Sequence, residues 1–205
     1  YMLNIPNTPR IRIKNVRNRL DMKIKILKTK TSLLKKNRDK IICTARKKKV
    51  FLPIYLTPQL AYFLGYLQGD GYLGSDKKTY GFADEYLKHL YYINKINKEL
   101  FNCKGSIRKK RDIMSTKYSY DLQIRRNIIN SYLHSIWGIP RGIKNNLQIP
   151  NKMCKNKNIL KWYIKGLFDA DGTLPKNPKK MKQPFIDLNM KDKVTQDRLK
   201  TYFRL

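Results

Sequence analysis

Two segments of this 205-residue chain, Phe63–Gly71 and Ile164–Gly172, repeat one pattern 101 residues apart. Each is a largely apolar stretch in which two small residues stand four positions apart, and each ends in Asp-Gly. The small residues are Gly65, Gly69, Gly166 and Ala170. Residues four apart share one face of an α-helix, and a face without large side chains lets another backbone approach closely. The repeat therefore predicts two helices that pack against each other through these four positions.

An aspartate stands at the C-terminal end of each predicted helix, Asp70 in the first and Asp171 in the second. A carboxylate there opposes the helix dipole and costs about 0.3–1 kcal/mol, so its presence at both matching positions favours a functional site. Packed side by side, the helices bring both carboxylates together beside Gly69 and Ala170. Mg²⁺ prefers hard oxygen ligands, and these four residues are the predicted metal site. The alternative is a pair of helix C-caps, because Asp-Gly is also a common turn signal.

The charge of the chain is strongly positive, with 46 Lys and Arg against 14 Asp and Glu and a formal net charge of +32. Such an excess attracts polyanions and makes nucleic acid the leading partner. A coding bias toward Lys is the alternative, although it does not explain why acids are scarce.

No apolar run approaches the roughly 18 residues that cross a bilayer, so we expect no membrane partner. Three widely separated cysteines indicate reduced thiols and an intracellular protein, in the cytoplasm or in an organelle.

The order of helical and strand patterns predicts an α+β fold. Thr57-Pro58 begins a helix that should end at Gly71, because Thr is a good N-cap and Pro suits the first turn. The remaining predicted elements are a strand over Thr79–Ala83, a helix over Glu85–Phe101, strands over Ser106–Arg111 and Tyr118–Arg125, and a helix over Asn127–Trp137. The order α-β-β-α-β-β-α predicts an antiparallel sheet with helices on one face.

The other face of this sheet is predicted to be polar and basic. Apolar and polar residues alternate along Tyr118–Arg125, so they face opposite sides. The predicted DNA-binding residues on the polar side are Arg108, Lys110, Ser119, Gln123 and Arg125. A twisted cationic face can lie along a duplex groove. The alternative is the solvated side of a half-buried sheet, and these residues by themselves favour that alternative.

The first 56 residues are predicted to be a flexible basic arm that contacts phosphates. They hold 17 Lys and Arg against two acids, Asp21 and Asp39, and their apolar residues show no sustained period. A solvated tail without a specific role is the equally weighted alternative.

Both repeated segments keep most positions of a known motif. The second has Gly166, Leu167, Asp169, Ala170, Asp171 and Gly172, and the first has Gly65, Asp70 and Gly71, with Gly69 as a common substitute. This pattern resembles the LAGLIDADG (DOD-type) homing endonucleases. The resemblance implies pseudo-twofold related α-β-β-α-β-β-α half-domains, whose antiparallel sheets form a saddle on DNA and whose motif helices form the interface. It also implies that Asp70 and Asp171 bind catalytic Mg²⁺, and that both strands of a long, specific DNA site are cut to leave staggered ends.

A third element fits the resemblance. Gly138–Lys144 is similar to the family segment that follows the fourth strand and its helix, where a basic residue assists cleavage. Lys144 is the matching position, and a Lys beside the scissile phosphate can offset developing charge or orient the attacking water. In a chain so rich in Lys, the match could also arise by chance. Asp84 and Asn189, which follow the second strand of each half, are weaker site candidates.

The sequence departs from the family pattern in two ways. Gln68 stands where the second motif keeps an acid, Asp169. Lys144 lies 74 residues after Asp70, and an equivalent residue in the second half would lie beyond Leu205. The expected organisation is a first half-domain over 57–155 and the start of a truncated second half over 156–205, with a hairpin over 173–188 and a helix over 192–205.

The sequence thus predicts a monomeric, intron-encoded, Mg²⁺-dependent endonuclease that acts on double-stranded DNA through Asp70, Asp171 and Lys144. One alternative is an intron RNA maturase, or a DNA-binding protein without cleavage, on the same scaffold. A second alternative is a basic RNA-binding protein of the ribosomal type. It accounts for the charge but not for the duplicated helices.

Overall fold

The computed structural model describes residues 11–12, 33–37, 40–45, 48–111, 118–144, 149–173 and 187–188. The strands are β1 (Ile11–Arg12), β2 (Leu33–Asn37), β3 (Lys40–Ala45), β4 (Lys48–Pro53), β5 (Tyr55–Leu56), β6 (Gly71–Leu73), β7 (Thr79–Asp84), β8 (Ser106–Arg111), β9 (Tyr118–Arg125), β10 (Gly172–Thr173) and β11 (Asp187–Leu188). The helices are α1 (Pro58–Gly69), α2 (Leu87–Phe101), α3 (Asn127–Trp137), α4 (Asn151–Cys154) and α5 (Lys157–Asp171). Within these ranges, none of the helices has the length and apolar character needed to cross a membrane.

Helix α1 begins as predicted and ends two residues early. The Leu60 N–H donates to Thr57 Oγ1 at 3.2 Å, which completes the N-cap. The last helical residue is Gly69, Asp70 is the C-cap, and Gly71 already starts β6. A Cβ on Gly71 would lie 2.6 Å from the carbonyl oxygen of Leu67, so the chain turns back here more tightly than a side chain allows. Helix α2 likewise starts at Leu87, two residues after its predicted start.

Four antiparallel strands in the order β6-β7-β9-β8 form the central sheet. Its inner face carries buried aromatic and aliphatic side chains from β7 and β9: Tyr80, Phe82, Leu122 and Ile124. Helix α1 covers this face, and the rings of Phe63 and Phe82 are 5.3 Å apart. The elements from α1 to α3 follow the order α-β-β-α-β-β-α, so the predicted α+β class and the antiparallel sheet backed by helices are confirmed.

Strands β2 to β5 correct the prediction of a flexible arm for the described residues between 33 and 56. Strands β2, β3 and β4 form a three-stranded antiparallel sheet. Alternate residues of β3 and β4 are buried in the main core: Ile41, Cys43, Val50 and Leu52. The Tyr132 hydroxyl donates to the Pro53 carbonyl at 2.8 Å, which ties β4 to α3. The four apolar residues stand at every second position, so they point to one face of the sheet and bury it. The neighbouring Lys48 and Lys49 are exposed.

Helices α1 and α5 pack together at close range. A Cβ on Gly65 would lie 2.9 Å from the Leu167 amide nitrogen and closer still to the Tyr163 carbonyl oxygen. A Cβ on Gly166 would lie 3.0 Å from the Tyr66 amide nitrogen, and closer still to the Tyr62 carbonyl oxygen. Each glycine thus accommodates the backbone of the partner helix. The contact is reciprocal, since Gly65 and Gly166 occupy equivalent positions of the repeat.

A short pair of strands follows α5. Strand β10 pairs with β11 in antiparallel register, with Gly172 opposite Leu188 and Thr173 opposite Asp187, at the two ends of the range predicted to form a hairpin. The helix predicted over 192–205 and the candidate Asn189 lie outside the described residues.

Candidate active site

The acids that end the two repeats meet at one end of the helix pair. A Cβ on Gly69 would lie 3.0 Å from Asp171 Oδ2 and would collide with the Ala170 methyl group, so all four predicted interface residues lie at the α1–α5 contact. The charge of Asp171 acts on Asp70 and contributes to raising its pKa. The structure therefore brings together the two carboxylates that the sequence placed at equivalent ends.

Lys144 joins these acids from a separate part of the chain. Its Nζ donates to the Gln68 carbonyl at 2.9 Å and to the Gly69 carbonyl, the last carbonyls of α1. A cation there complements the negative end of the helix dipole. Lys144 also interacts electrostatically with both Asp70 and Asp171. The three residues to which the sequence assigned catalysis thus share one site, and their catalytic role stays a prediction.

The pKa values of the three groups report a crowded, partly buried site. Burial, then the charges of Asp171 and Asp84, raise the pKa of Asp70 to about 7 against the opposing effect of Lys144. Partial burial raises the pKa of Asp171 as well. Burial lowers the pKa of Lys144 to about 8, although both aspartates oppose that shift. The raised pKa values mean that ionising both neighbouring carboxylates costs free energy. A further positive charge bound beside them would reduce that cost.

The donor set fits a divalent cation of the Mg²⁺ type. Asp70 and Asp171 offer carboxylate oxygens, and Mg²⁺ in proteins commonly binds one or two carboxylates and keeps several waters. In the part of the chain that the structure describes, no group of three or more His, Cys, Asp or Glu side chains is placed to hold a metal, at this site or at another, so Asp70 and Asp171 offer a cation two carboxylates only. Of the two other predicted metal residues, Gly69 contacts the Ala170 methyl group and the Asp171 carboxylate, and its carbonyl already accepts from Lys144.

The loop that carries Lys144 is fastened to the central sheet. The Gly142 N–H donates to the Leu73 carbonyl at 2.8 Å. Arg141 Nε donates to Asn130 Oδ1 at 2.8 Å, and the buried Asn130 donates its amide to the Thr79 carbonyl at 2.6 Å. Gly142 has φ of 72°, a left-handed conformation that suits glycine. Asn130 and Arg141 therefore position Lys144. Arg141 belongs to the segment Gly138–Lys144 that the sequence singled out, whereas no sequence pattern pointed to Asn130.

Two tyrosines that the sequence analysis overlooked bridge the helix pair. The Tyr62 hydroxyl donates to Asp169 Oδ2 at 2.9 Å, and the Tyr163 hydroxyl donates to Gln68 Oε1. Each tyrosine lies three positions before its motif glycine, so the repeat itself contained the signal. Asp169 also pairs with Lys165 at 3.1 Å, whereas Nε2 of the buried Gln68 has no hydrogen-bond partner among the described residues. The two repeats thus differ in structure at the position where their sequences have Gln68 and Asp169.

The weaker candidate Asp84 lies beside the site with its side chain nearly buried. It accepts hydrogen bonds from the Tyr66 hydroxyl, from the Tyr86 N–H at 2.6 Å, and from His89 Nδ1 at 3.0 Å. Its charge contributes to raising the pKa of Asp70. Asp84 is therefore an electrostatic neighbour of the site whose oxygens already have protein donors.

The predicted DNA-binding residues share the open face of the sheet. The register places Arg108 opposite Asp121, Lys110 opposite Ser119 and Gln123 opposite Ser106. Arg125, paired with Thr79, lies on the same side. This arrangement agrees with the predicted alternation, while binding to DNA stays a prediction. Asp121 departs from the expected exposed polar row, because it is 4% exposed.

The chain matches no protein-family model and no curated protein.

Removing the charge of Lys144 tests the electrostatics of this site. We expect Lys144→Met to raise the pKa of Asp70 further above its value of about 7, because the ammonium group favours the ionised carboxylate. Carbon-detected NMR titration of the aspartate carboxyl groups measures this. The control is Lys165→Met, since Lys165 pairs with Asp169 and should leave Asp70 unchanged. An unchanged pKa of Asp70 in Lys144→Met contradicts the electrostatic interaction between Lys144 and Asp70.

Proposed function

We propose that this protein is a site-specific DNA endonuclease of the LAGLIDADG type, which hydrolyses phosphodiester bonds with Mg²⁺ bound between Asp70 and Asp171. The observation that carries the proposal is the meeting of Asp70, Asp171 and Lys144 at one end of two helices packed through reciprocal glycines. The pair of acids at this helix end also argues against a basic RNA-binding protein of the ribosomal type, because such a protein has no need for a paired acidic site.

The roles of the residues follow from their chemistry. Asp70 and Asp171 hold the cation, and ionised carboxylates bind it better, so affinity should increase as pH rises through about 7. When bound, Mg²⁺ supplies positive charge at the scissile phosphate and a water that ionises more readily. Lys144 offers an ammonium group that offsets charge developing on the phosphate. Because the pKa of Lys144 is about 8, this group is still largely protonated at neutral pH.

The basic face of the central sheet supplies the duplex contact. Arg108, Lys110 and Arg125 are exposed there, and Gln123 lies among them. Cations that contact phosphates fix the orientation of the duplex, while side chains that reach base edges select the sequence. Most of the affinity should therefore be sensitive to salt.

Selection from a randomised duplex library tests the proposal. We expect the chain to cut both strands at one sequence in the presence of Mg²⁺, to stop cutting in EDTA, and to keep binding that sequence without the metal. Binding should weaken steeply with salt, since each neutralised phosphate contributes a slope of about 0.9 in a plot of log affinity against log salt.

Two results would favour other functions. Tight binding to a structured intron RNA, without cleavage of any library duplex, favours the maturase alternative. Binding to the selected duplex with Mg²⁺ present but both strands intact favours a DNA-binding protein that lacks cleavage. Equal binding to all duplexes and RNAs contradicts both the endonuclease and its alternatives.

A further inference from the structure

One acid stands in the middle of the basic sheet face. In the described strands β6 to β9, the open side of the sheet carries the cations Arg108, Lys110 and Arg125. Asp121 is the one acidic residue that these strands place on that side. A carboxylate in this position repels the phosphates of a bound duplex and lowers affinity. The carboxylate of Asp121 makes sense if it helps the protein discriminate between DNA sequences, at some cost in affinity. Specific binding sites often contain a group that disfavours the wrong partner.

Tyr72 lies flat across this face and ends at the acid. A Cβ on Gly81 would lie 2.7 Å from the Tyr72 hydroxyl and 2.8 Å from the ring carbon that bears it, so the ring covers the glycine. The Tyr72 hydroxyl donates to Asp121 Oδ1 at 3.2 Å. Burial, together with the charge of Asp121, raises the pKa of Tyr72 to about 12, which keeps the hydroxyl protonated as a donor. The first carboxylate oxygen is thereby fixed.

Lys110 is held by the second oxygen. Its Nζ lies 3.2 Å from Asp121 Oδ2, while the Lys110 side chain is 62% exposed and that of Asp121 only 6%. An ammonium group has three N–H donors, so two still point away from Asp121. This ion pair favours the conformations of Lys110 that keep its ammonium group over Asp121 and disfavours those that extend to a phosphate.

We propose that Tyr72 and Asp121 are positioning residues that hold Lys110 as a reader of guanine at one base pair of the target. The inference rests on the proposed function and adds the residues that determine specificity. Guanine presents two acceptors, O6 and N7, in the major groove, and these match the two N–H donors that Lys110 retains. A lysine without Asp121 contacts phosphates and carries no sequence information.

Binding measurements in EDTA test the inference without using cleavage. The selected duplex, its single-base variants and an unrelated duplex are titrated at several salt concentrations with each protein. For Asp121→Asn we expect discrimination at one G·C pair to fall about 10-fold. Affinity for the unrelated duplex should rise, and its salt slope should steepen by about 0.9, since the released lysine gains a phosphate.

Further variants separate positioning from a structural role. Lys110→Met should lose preference at the same base pair, and adding Asp121→Asn to it should cause no further loss there. Lys110→Arg should keep the guanine preference, because arginine offers the same two donors. Tyr72→Phe removes only the hydroxyl and should give a partial loss, which provides a second readout if Asp121→Asn folds poorly. General destabilisation would lower affinity for every duplex alike.

The outcomes are distinguishable from failure of the proposed function. A wild-type chain that binds all duplexes equally contradicts that function and this inference together. A wild-type chain that discriminates, with Asp121→Asn or Lys110→Met discriminating just as well, overturns this inference alone.

Discussion

Gly65→Ala and Gly166→Ala should each destabilise the protein by about 3 kcal/mol or more, a fall of roughly 6–12 °C in melting temperature for a chain of this size. The added Cβ would lie within 3.0 Å of a backbone amide nitrogen of the other helix and still nearer a backbone carbonyl oxygen. Backbone atoms inside a helix cannot rotate away, so α1 and α5 would have to separate. In an ordinary helix the same change would stabilise by about 1 kcal/mol, so the expected sign is reversed.

Thermal unfolding followed by circular dichroism measures this effect. The matched control is Gly138→Ala, where a Cβ would meet no described atom within 4 Å and the φ of 74° opposes the substitution. We expect that control to cost about 1 kcal/mol. Since the two motif glycines make reciprocal contacts, their alanine variants should lose similar stability. A stabilised Gly65→Ala protein would mean that the helices do not pack as described.

Asp70→Asn and Asp171→Asn should each abolish cleavage, by about 10³-fold or more, while making the protein more stable at pH 8 without divalent cations. The fold raises the pKa of Asp70 from an ordinary value of 3.8 to about 7. Ionisation therefore destabilises the folded state progressively as pH rises from about 4 to 7, and the full penalty is present above 7. Asparagine removes this penalty, and below pH 4 the two proteins should converge.

The expected gain is about 1 kcal/mol, or 2–4 °C, because solvent screens a partly exposed carboxylate. Added Mg²⁺ should raise the melting temperature of the wild type and not that of either variant, since a ligand that binds only the folded state stabilises it. The control is Asp169→Asn, which loses its bond to Lys165 and should lower stability slightly. A doubly substituted Asp70→Asn/Asp171→Asn protein that still cuts DNA would eliminate the proposed site.

Local sequence signals predicted the bounds of helices and strands correctly where a residue type has a strong preference for one position in an element. Thr57-Pro58 predicted the start of α1, and Gly138, at φ of 74°, ends α3 as expected. The strands Ser106–Arg111 and Tyr118–Arg125 were predicted with their observed bounds, because alternation of apolar and polar residues matches the two faces of a strand. The helix starts and ends near Gly71 and Glu85 were each two residues off, since tertiary turns decide those positions.

The N-terminal sheet shows where composition misleads. The charged run from Arg46 to Lys49 separates Lys40–Ala45 from Val50–Pro53 and conceals the two-residue period of their apolar side chains. In the structure these apolar side chains join the same core as residues of α2 and α3. Strand formation depends on such partners, so a short pattern among charges is a weak signal by itself.

The sequence alone determined that two small-faced helices, each followed by Asp-Gly, recur in this chain, because the repeat is visible in the order of residues. Tertiary structure alone decided which carbonyls of α1 Lys144 contacts, and that Asp121 is buried beneath Lys110 and Tyr72. These contacts join residues far apart along the chain. Their free energy depends on distance and burial, which no local pattern encodes.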